Sequence, residues 1–350
     1  MIETGNNYAV WSVAFHSDGM QLLSGKTDGV RRWRVADGQE VGNRMPMNVN
    51  VISVSMDGKW TVCGTTQGAS VWDAKTQKKA IEVEDTHDVT AVDISPESTR
   101  FATGTGQKKS DYKASIWNII TGERLVGPLQ HVHRIAGIKF SPNGEYIATA
   151  NRGPDAIRIF DSRNGDQLIS IKTDVLYWGS STPLAWSNNG QHIFAASSDR
   201  KIKSFEVSTG SQLAGSEVPG EDSSMGESST KIREVYSIAL AANGKFLATF
   251  ANSSISFWDT PTLTQIGPVI EDSQRIRSIA LSLDCSSLAT GGMDGNITIR
   301  KLNNILPDLY GPFRVSIYAL TILSDKSHTV FPISISPLGT YSRRSRIGKI

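Results

Sequence analysis

Apolar and polar residues alternate along most of this chain in short runs, and nearly every run ends at a tight turn. A period of two places successive side chains on opposite faces of a strand, so the chain reads as strand after strand with almost no helical pattern. Val13 and Phe15 precede Ser17-Asp18-Gly19 and are followed by Leu22 and Leu23; Ile138 and Phe140 precede Pro142-Asn143-Gly144 and are followed by Tyr146 and Ile147. This spacing predicts hairpins. Gly19, Gly58, Gly144, Gly190 and Gly244 fall where the turn needs a left-handed backbone, which glycine adopts without steric cost. Ser98 and Ser286 stand at the corresponding place of two further hairpins, which predicts looser turns there.

The hairpins belong to a larger repeat. Seven diverged copies of one pattern run along the chain, closed by Trp33, Trp72, Trp117, Phe160, Phe205, Trp258 and Arg300 at intervals of 39, 45, 43, 45, 53 and 42 residues. An interval of about 40 to 45 residues is that of a four-stranded propeller blade. One such sheet cannot bury both faces, so successive sheets must stack around an axis and close into a ring. The pattern predicts an all-β, seven-bladed propeller of four-stranded antiparallel sheets over residues 1–314, with a poorly matching tail or decayed eighth repeat over 315–350. Three Gly-Pro steps, at Gly127, Gly267 and Gly311, mark outer strands, where proline's missing donor costs no ladder bond. The third assigns the seventh copy an outer strand of its own near Leu309 to Arg314, so that closure need not borrow a strand from the N-terminus.

"VWSVAFHSDG", "SPNGEYIATA" and "VWDAKT" resemble the WD-repeat (tryptophan-aspartate) β-propeller family over roughly residues 8 to 315, and the phrasing is similar to the repeat arrays of fungal and bacterial NACHT-type signalling ATPases. The resemblance implies a relay of His, Ser or Thr, Asp and Trp inside a blade. His87, Thr103, Asp111 and Trp117 come nearest to it in the third copy. The fourth offers His131, Thr149 and Asp155 with Phe160 in the tryptophan's place, and the first offers Ser24, Asp28 and Trp33 without a histidine. Each missing link forgoes a net ~0.5 to 1.5 kcal/mol.

Composition narrows the function classes. The formal net charge is +2, too mild by itself to imply nucleic acid. The two cysteines, Cys63 and Cys285, sit in strand patterns of distant copies, which points to buried free thiols in a reducing compartment. No apolar run approaches the ~20 residues of a membrane span, and the first ten residues lack the charged and apolar regions of a signal peptide. The expected location is the cytoplasm, with the nucleus left open by Arg343, Arg344, Arg346 and Lys349 near the C-terminus.

Candidate chemistry is sparse. Gly104-x-Gly106 with Lys108, Lys109 and Ser110 imitates a phosphate loop but lacks a second glycine before Lys-Ser and opens onto a strand, not a helix N-terminus. His87, His131 and His133 have no cysteine or carboxylate at ligand spacing, so no metal is expected. Neither a nucleophile elbow nor a nucleotide fingerprint is present, and neither an enzyme nor a cofactor is expected. The segment Ile157 to Arg163, "IRIFDSR", resembles the box by which some WD-repeat substrate receptors dock onto cullin-type ubiquitin ligases, with Phe160 in place of its tryptophan.

Loop length carries the functional signal. In the resembled family, turns between the first and second and between the third and fourth strands emerge on one face, and the remaining connections on the other. Here the first class stays short, while every long insertion, Gln107 to Lys113, Asn151 to Asp155, Thr173 to Thr182 and Pro219 to Glu234, belongs to the second. The last is rich in Ser, Gly and Glu, a composition that favours a loop without fixed structure. Insertions gathered on one face mark a binding face. Its expected anchors are Lys108, Lys109, Arg134, Arg152, Tyr177, Trp178 and Arg200, since aromatic and arginine side chains dominate interface energetics. The reading is a non-enzymatic scaffold for a protein or peptide partner, with a ubiquitin-ligase adaptor as the alternative.

Overall fold

The computed structural model describes residues 1–310 apart from 6–7, 85–87, 107–111, 152–154, 174–182, 198 and 220–236. Seven antiparallel sheets follow one another along the chain, each laid down strand beside strand in sequence order. The second sheet, for example, runs Val49–Val54, Trp60–Thr65, Gly68–Asp73 and Lys79–Glu84. First strands of neighbouring sheets meet around a common axis. Ser12 Oγ accepts the Ile52 N–H at 3.0 Å, Thr90 Oγ1 donates to the Ile135 carbonyl at 2.7 Å, and Ser278 Oγ accepts the Val13 N–H at 3.0 Å, which joins the last sheet to the first. The molecule is therefore a seven-bladed β-propeller. Short 3₁₀ turns at Leu302–Asn304 and Asp308–Tyr310 are the only helical elements among the described residues.

Alternation accounts for the core. Apolar side chains of one sheet interleave with those of the next, as where Val62, Val71, Val92, Phe101 and Trp117 pack together between the second and third sheets. Each fully buried side chain of this size stabilises the fold by ~1.5 to 3 kcal/mol. Strand register sets the closing residue opposite an apolar partner in six of the seven copies, as with Leu22 opposite Trp33, Phe101 opposite Trp117, Leu247 opposite Trp258 and Leu288 opposite Arg300, while Trp72 stands opposite Thr61. Gly127-Pro128 and Gly267-Pro268 do lie in outer strands, Arg124–His131 and Gln265–Glu271.

Three expectations need correction. Ring closure does borrow from the N-terminus: Ile2 and Ile297 exchange backbone hydrogen bonds of 2.7 and 3.1 Å, and Thr4 Oγ1 donates to the Gly295 carbonyl at 2.6 Å. Two bonds and one buried isoleucine side chain need only a few residues, so the short stretch before Val10 suffices. Leu309 and Tyr310 do not form an outer strand of the seventh sheet. They turn back onto the sixth, where the Tyr310 hydroxyl donates to Asp259 Oδ1 at 2.9 Å and its ring meets Phe246 edge-on. Finally, the seventh hairpin places Cys285, not Ser286, at the left-handed position. Ser98 at φ 59° and Cys285 at φ 58° close their turns with N–H to carbonyl bonds of 2.8 and 2.9 Å, as tight as the 2.8 Å at Gly144. The hairpin ladder on both sides imposes the geometry, and the side chain bears the strain.

The first sheet has three regular strands, and its fourth place is filled by single bridges from Val30 to Met45 and from Trp33 to Glu40.

Candidate functional site

Strand ends place all four insertions on one face. Gln107 to Lys113 joins Arg100–Thr105 to Tyr112–Asn118, Asn151 to Asp155 joins Tyr146–Asn151 to Ile157–Asp161, and the other two join an outer strand to the next inner strand. The hairpin turns at Gly19, Gly58 and Gly144 open on the opposite face. Of the expected anchors, Lys108, Lys109, Arg152, Tyr177 and Trp178 lie outside the described residues.

Arg134 and Arg200 differ in setting. Arg200 is exposed on a turn, in a left-handed backbone at φ 66°, with its N–H on the Ser197 carbonyl at 3.2 Å. Arg134 is half-buried at the start of the fourth inner strand and leans over Gly106, where a β-carbon would come within 2.6 Å of its Nε. It faces the buried Asp88 carboxyl, which also accepts from Asn50 Nδ2. Burial pushes the Asp88 pKa up, against the opposing pull of Asn50 and Arg134. Asn50 and Asp88 thus join the second and third sheets beside the axis, and Arg134 brings a positive charge near them from the fourth.

Two further pairings on this face were not anticipated. The Arg277 guanidinium lies 5.0 Å from the centre of the Trp11 ring, across the junction of the seventh and first sheets. Both residues hold the second position of the inner-strand pattern, Val10-Trp11-Ser12 against Ile276-Arg277-Ser278, and aligning the copies at that position would have exposed the pair. At the same junction Lys26 is fully buried and donates to Thr4 Oγ1, while Asp28 pairs with Arg31 and Arg44, each at 3.1 Å. Burial, first among several influences, brings the Lys26 pKa down to about 8.

The relay residues come together in part. Trp33 Nε1 donates to Ser24 Oγ at 2.8 Å, Trp117 to Thr103 Oγ1 at 2.9 Å and Trp258 to Thr249 Oγ1 at 2.9 Å. His87 and Asp111 lie outside the described residues. In the fourth sheet Phe160 has no donor, Thr149 Oγ1 turns to the Arg158 carbonyl at 3.5 Å, and the buried His131 sets its ring edge-on to Phe160 at 5.8 Å. Neither ring nitrogen of His131 has a partner among the described residues, and burial lowers its pKa to about 3, so it stays neutral. Asp155 bridges to Thr173 through the backbone. The seventh sheet rebuilds the relay from other residues: Arg300 Nη1 donates to Thr290 Oγ1 at 3.2 Å, Thr290 donates to Asp272 Oδ2 at 2.9 Å, and Arg300 Nη2 meets the same carboxylate at 3.1 Å.

Among the described residues no three of His, Cys, Asp or Glu are grouped to hold a metal ion. Cys63 is buried, its thiol pushed up to about 12 by burial, a setting that disfavours the reactive thiolate.

Seven such sheets, three of them with an indole-to-hydroxyl bond from one strand to the next, define a propeller of repeated blades, and comparison with known proteins shows what it is similar to. A model of the WD domain, G-beta repeat, matches residues 2–30 and 263–300, the two stretches that meet at ring closure. A model of eukaryotic translation initiation factor eIF2A matches residues 70–211. Relatives include the guanine nucleotide-binding protein subunit beta of Oryza sativa subsp. japonica, 24% identical over 216 residues that cover 59% of this chain and 54% of that protein. The pre-mRNA-processing factor 19 homolog 2 of Arabidopsis thaliana is 25% identical over 215 residues, covering 57% of this chain and 38% of that protein. The chain thus spans about half or less of the length of these curated relatives. It is a seven-bladed β-propeller similar to the WD-repeat family.

Proposed function

We propose that this propeller is a non-enzymatic scaffold that binds a protein or peptide partner through the face carrying the inserted loops. One observation carries the reading: the four insertions all join strand ends of that face, while the opposite turns keep a uniform short length. Relatives named as a G-protein β subunit and a pre-mRNA-processing factor support an assembly role in preference to catalysis. Lys109, Arg152 and Trp178, together with the exposed Arg200, are the residues assigned to the contact. Arg134 contributes positive charge beside Asp88. The test is affinity purification with mass spectrometry, comparing wild type with a Lys109, Arg152 and Trp178 triple alanine variant and with an Asp57 and Asn143 double variant of the opposite face. Partners lost only from the first variant support the reading; partners lost only from the second overturn it.

A second reading, adaptor of a cullin-type ligase, is favoured by one feature of the box at Ile157 to Arg163. The Arg163 side chain is 71% exposed, while the Asp161 carboxylate accepts the Arg163 N–H at 2.7 Å and shapes the turn that presents it. Recovery of a cullin adaptor that is lost on Arg163→Ala would establish it.

A further inference from the structure

The wedge between neighbouring sheets on the short-turn face is closed in different ways at three junctions, and at a fourth it is open. Between the third and fourth sheets it is closed by Arg100. The guanidinium donates to the Gly144 carbonyl at 2.8 Å, to the Ser162 carbonyl at 3.1 Å and to Ser162 Oγ at 3.0 Å, is held by Glu97 at 2.8 Å, and lies over the Phe140 ring. Between the first and second sheets Arg32, from a different strand, donates to the Ala74 carbonyl. Ala74 and Ser162 are equivalent: the Ala74 N–H bonds the Lys59 carbonyl as the Ser162 N–H bonds the Glu145 carbonyl. Two arginines from two different strand positions therefore converge on one carbonyl of the blade. Between the sixth and seventh sheets Tyr310 packs against Phe246 instead.

Between the fourth and fifth sheets the same place is a groove of about 490 Å³. Its acceptors are in place. Gly190 closes the hairpin turn as Gly144 does, with its N–H on the Ser187 carbonyl at 2.8 Å, and Val207 occupies the Ser162 position, with its N–H on the Gln191 carbonyl at 2.8 Å. Both residues line the groove. The donors are missing. Tyr146 stands at the position of Arg100 and Ile159 at that of Arg32; both line the groove, and among the described residues no side chain donates to the Gly190 or Val207 carbonyl. A β-carbon on Gly190 would meet nothing nearer than Pro142 at 3.7 Å, whereas at Gly144 it would meet Glu97 at 2.7 Å and Arg100 at 3.4 Å. Leu168, Ile169 and Tyr146 supply apolar walls for an aliphatic stem, and Glu206 supplies a carboxylate at the edge. A guanidinium is the group that matches two carbonyls and a carboxylate at once, because it is planar, permanently charged and donates in several directions.

We propose that this groove is a receptor for an arginine side chain presented by a partner protein, filling the place that Arg100 and Arg32 fill within the chain at other junctions. The site is independent of the inserted-loop face, since its lining residues lie at the start of Tyr146–Asn151 and of Gln167–Ile171, at the end of Lys201–Glu206 and in the turn at Gly190, with Ile159 between them.

The probe is N-acetyl-arginine amide, titrated into the intact protein and followed by amide chemical shifts, with N-acetyl-lysine amide in parallel. The expected result is saturable binding at about millimolar affinity, as one small fragment allows, with shifts centred on Gly190, Gln191 and Val207 and lysine weaker by about fivefold or more. Tyr146→Arg should abolish binding by supplying the internal guanidinium, and Glu206→Gln should weaken it about fivefold. The second variant, on the exposed edge, serves if the first does not fold. Absence of saturable shifts at these residues, equal binding of lysine, or binding unchanged in both variants overturns the assignment.

Discussion

Arg300 of the seventh sheet stands 3.1 Å from Asp272, which directly follows the outer strand of the sixth, and through Thr290 they take over a relay that tryptophan completes in other sheets. Their side chains are 17% and 11% exposed, so the pair is shielded from most of the solvent that weakens surface ion pairs. The arginine keeps the tryptophan's donor role toward the hydroxyl and adds a charge that its carboxylate partner must match.

Arg300→Trp alone should therefore destabilise, although tryptophan is the commoner residue at this position along the chain, because Asp272 is left without its counter-charge. Combining it with Asp272→Ala should recover part of the loss. A double-mutant cycle in urea is expected to give a coupling of about 1 to 3 kcal/mol. Additive effects would show that the two side chains act separately.

Trp117→Phe removes the donor to Thr103 and should cost about 1 to 2 kcal/mol beyond the lost ring area. Thr65→Ala should cost less, since that hydroxyl bonds only within its own turn, to the Gly68 carbonyl and the Gln67 N–H. Denaturation midpoints at unchanged slope make the comparison.

Ile2→Ala should lower stability by about 2 kcal/mol or more, because the side chain is buried against the first and last sheets and its backbone bonds close the ring. A midpoint equal to wild type would mean that the ring holds without this clasp.

Lys26 gives a pH dependence of definite sign. Its folded pKa of about 8 lies below the unfolded value of ~10.4, so between these limits the unfolded chain holds the extra proton. Stability should rise with pH across that window, while below it both states are protonated and the burial cost is constant. Lys26→Met should flatten the rise. Unfolding midpoints measured from pH 7.5 to 10 would check it, and an unchanged slope in the variant would contradict the assignment.

Binding should fall with loss of Trp178 by about 2 kcal/mol if it is the energetic centre of the inserted-loop face, whereas loss of exposed Arg200 should mainly slow association and alter its salt dependence. Titration calorimetry with an identified partner distinguishes the two effects.

The sequence by itself determined the architecture, because the alternation that selects strands and the interval that selects blades are local properties repeated seven times. Repetition also revealed Trp33, Trp117 and Trp258 as equivalent, and it assigned every long insertion to one class of connection. It misplaced Cys285 by one residue, since Cys285 and Ser286 are adjacent small residues and only the bond from the Cys285 N–H to the Ser282 carbonyl shows which one turns the chain. Only the tertiary structure decided how the ring closes. Ile2 and Ile297 are nearly a chain length apart, and no periodicity within either strand says that they will pair. The same holds for Arg300 with Asp272, for Arg277 with Trp11 and for the groove at Tyr146: each depends on which side chain a neighbouring sheet brings to a shared position. Local pattern sets what a blade is, whereas contacts between blades are set by long-range packing, where one substitution such as Tyr146 for arginine opens a site or closes it.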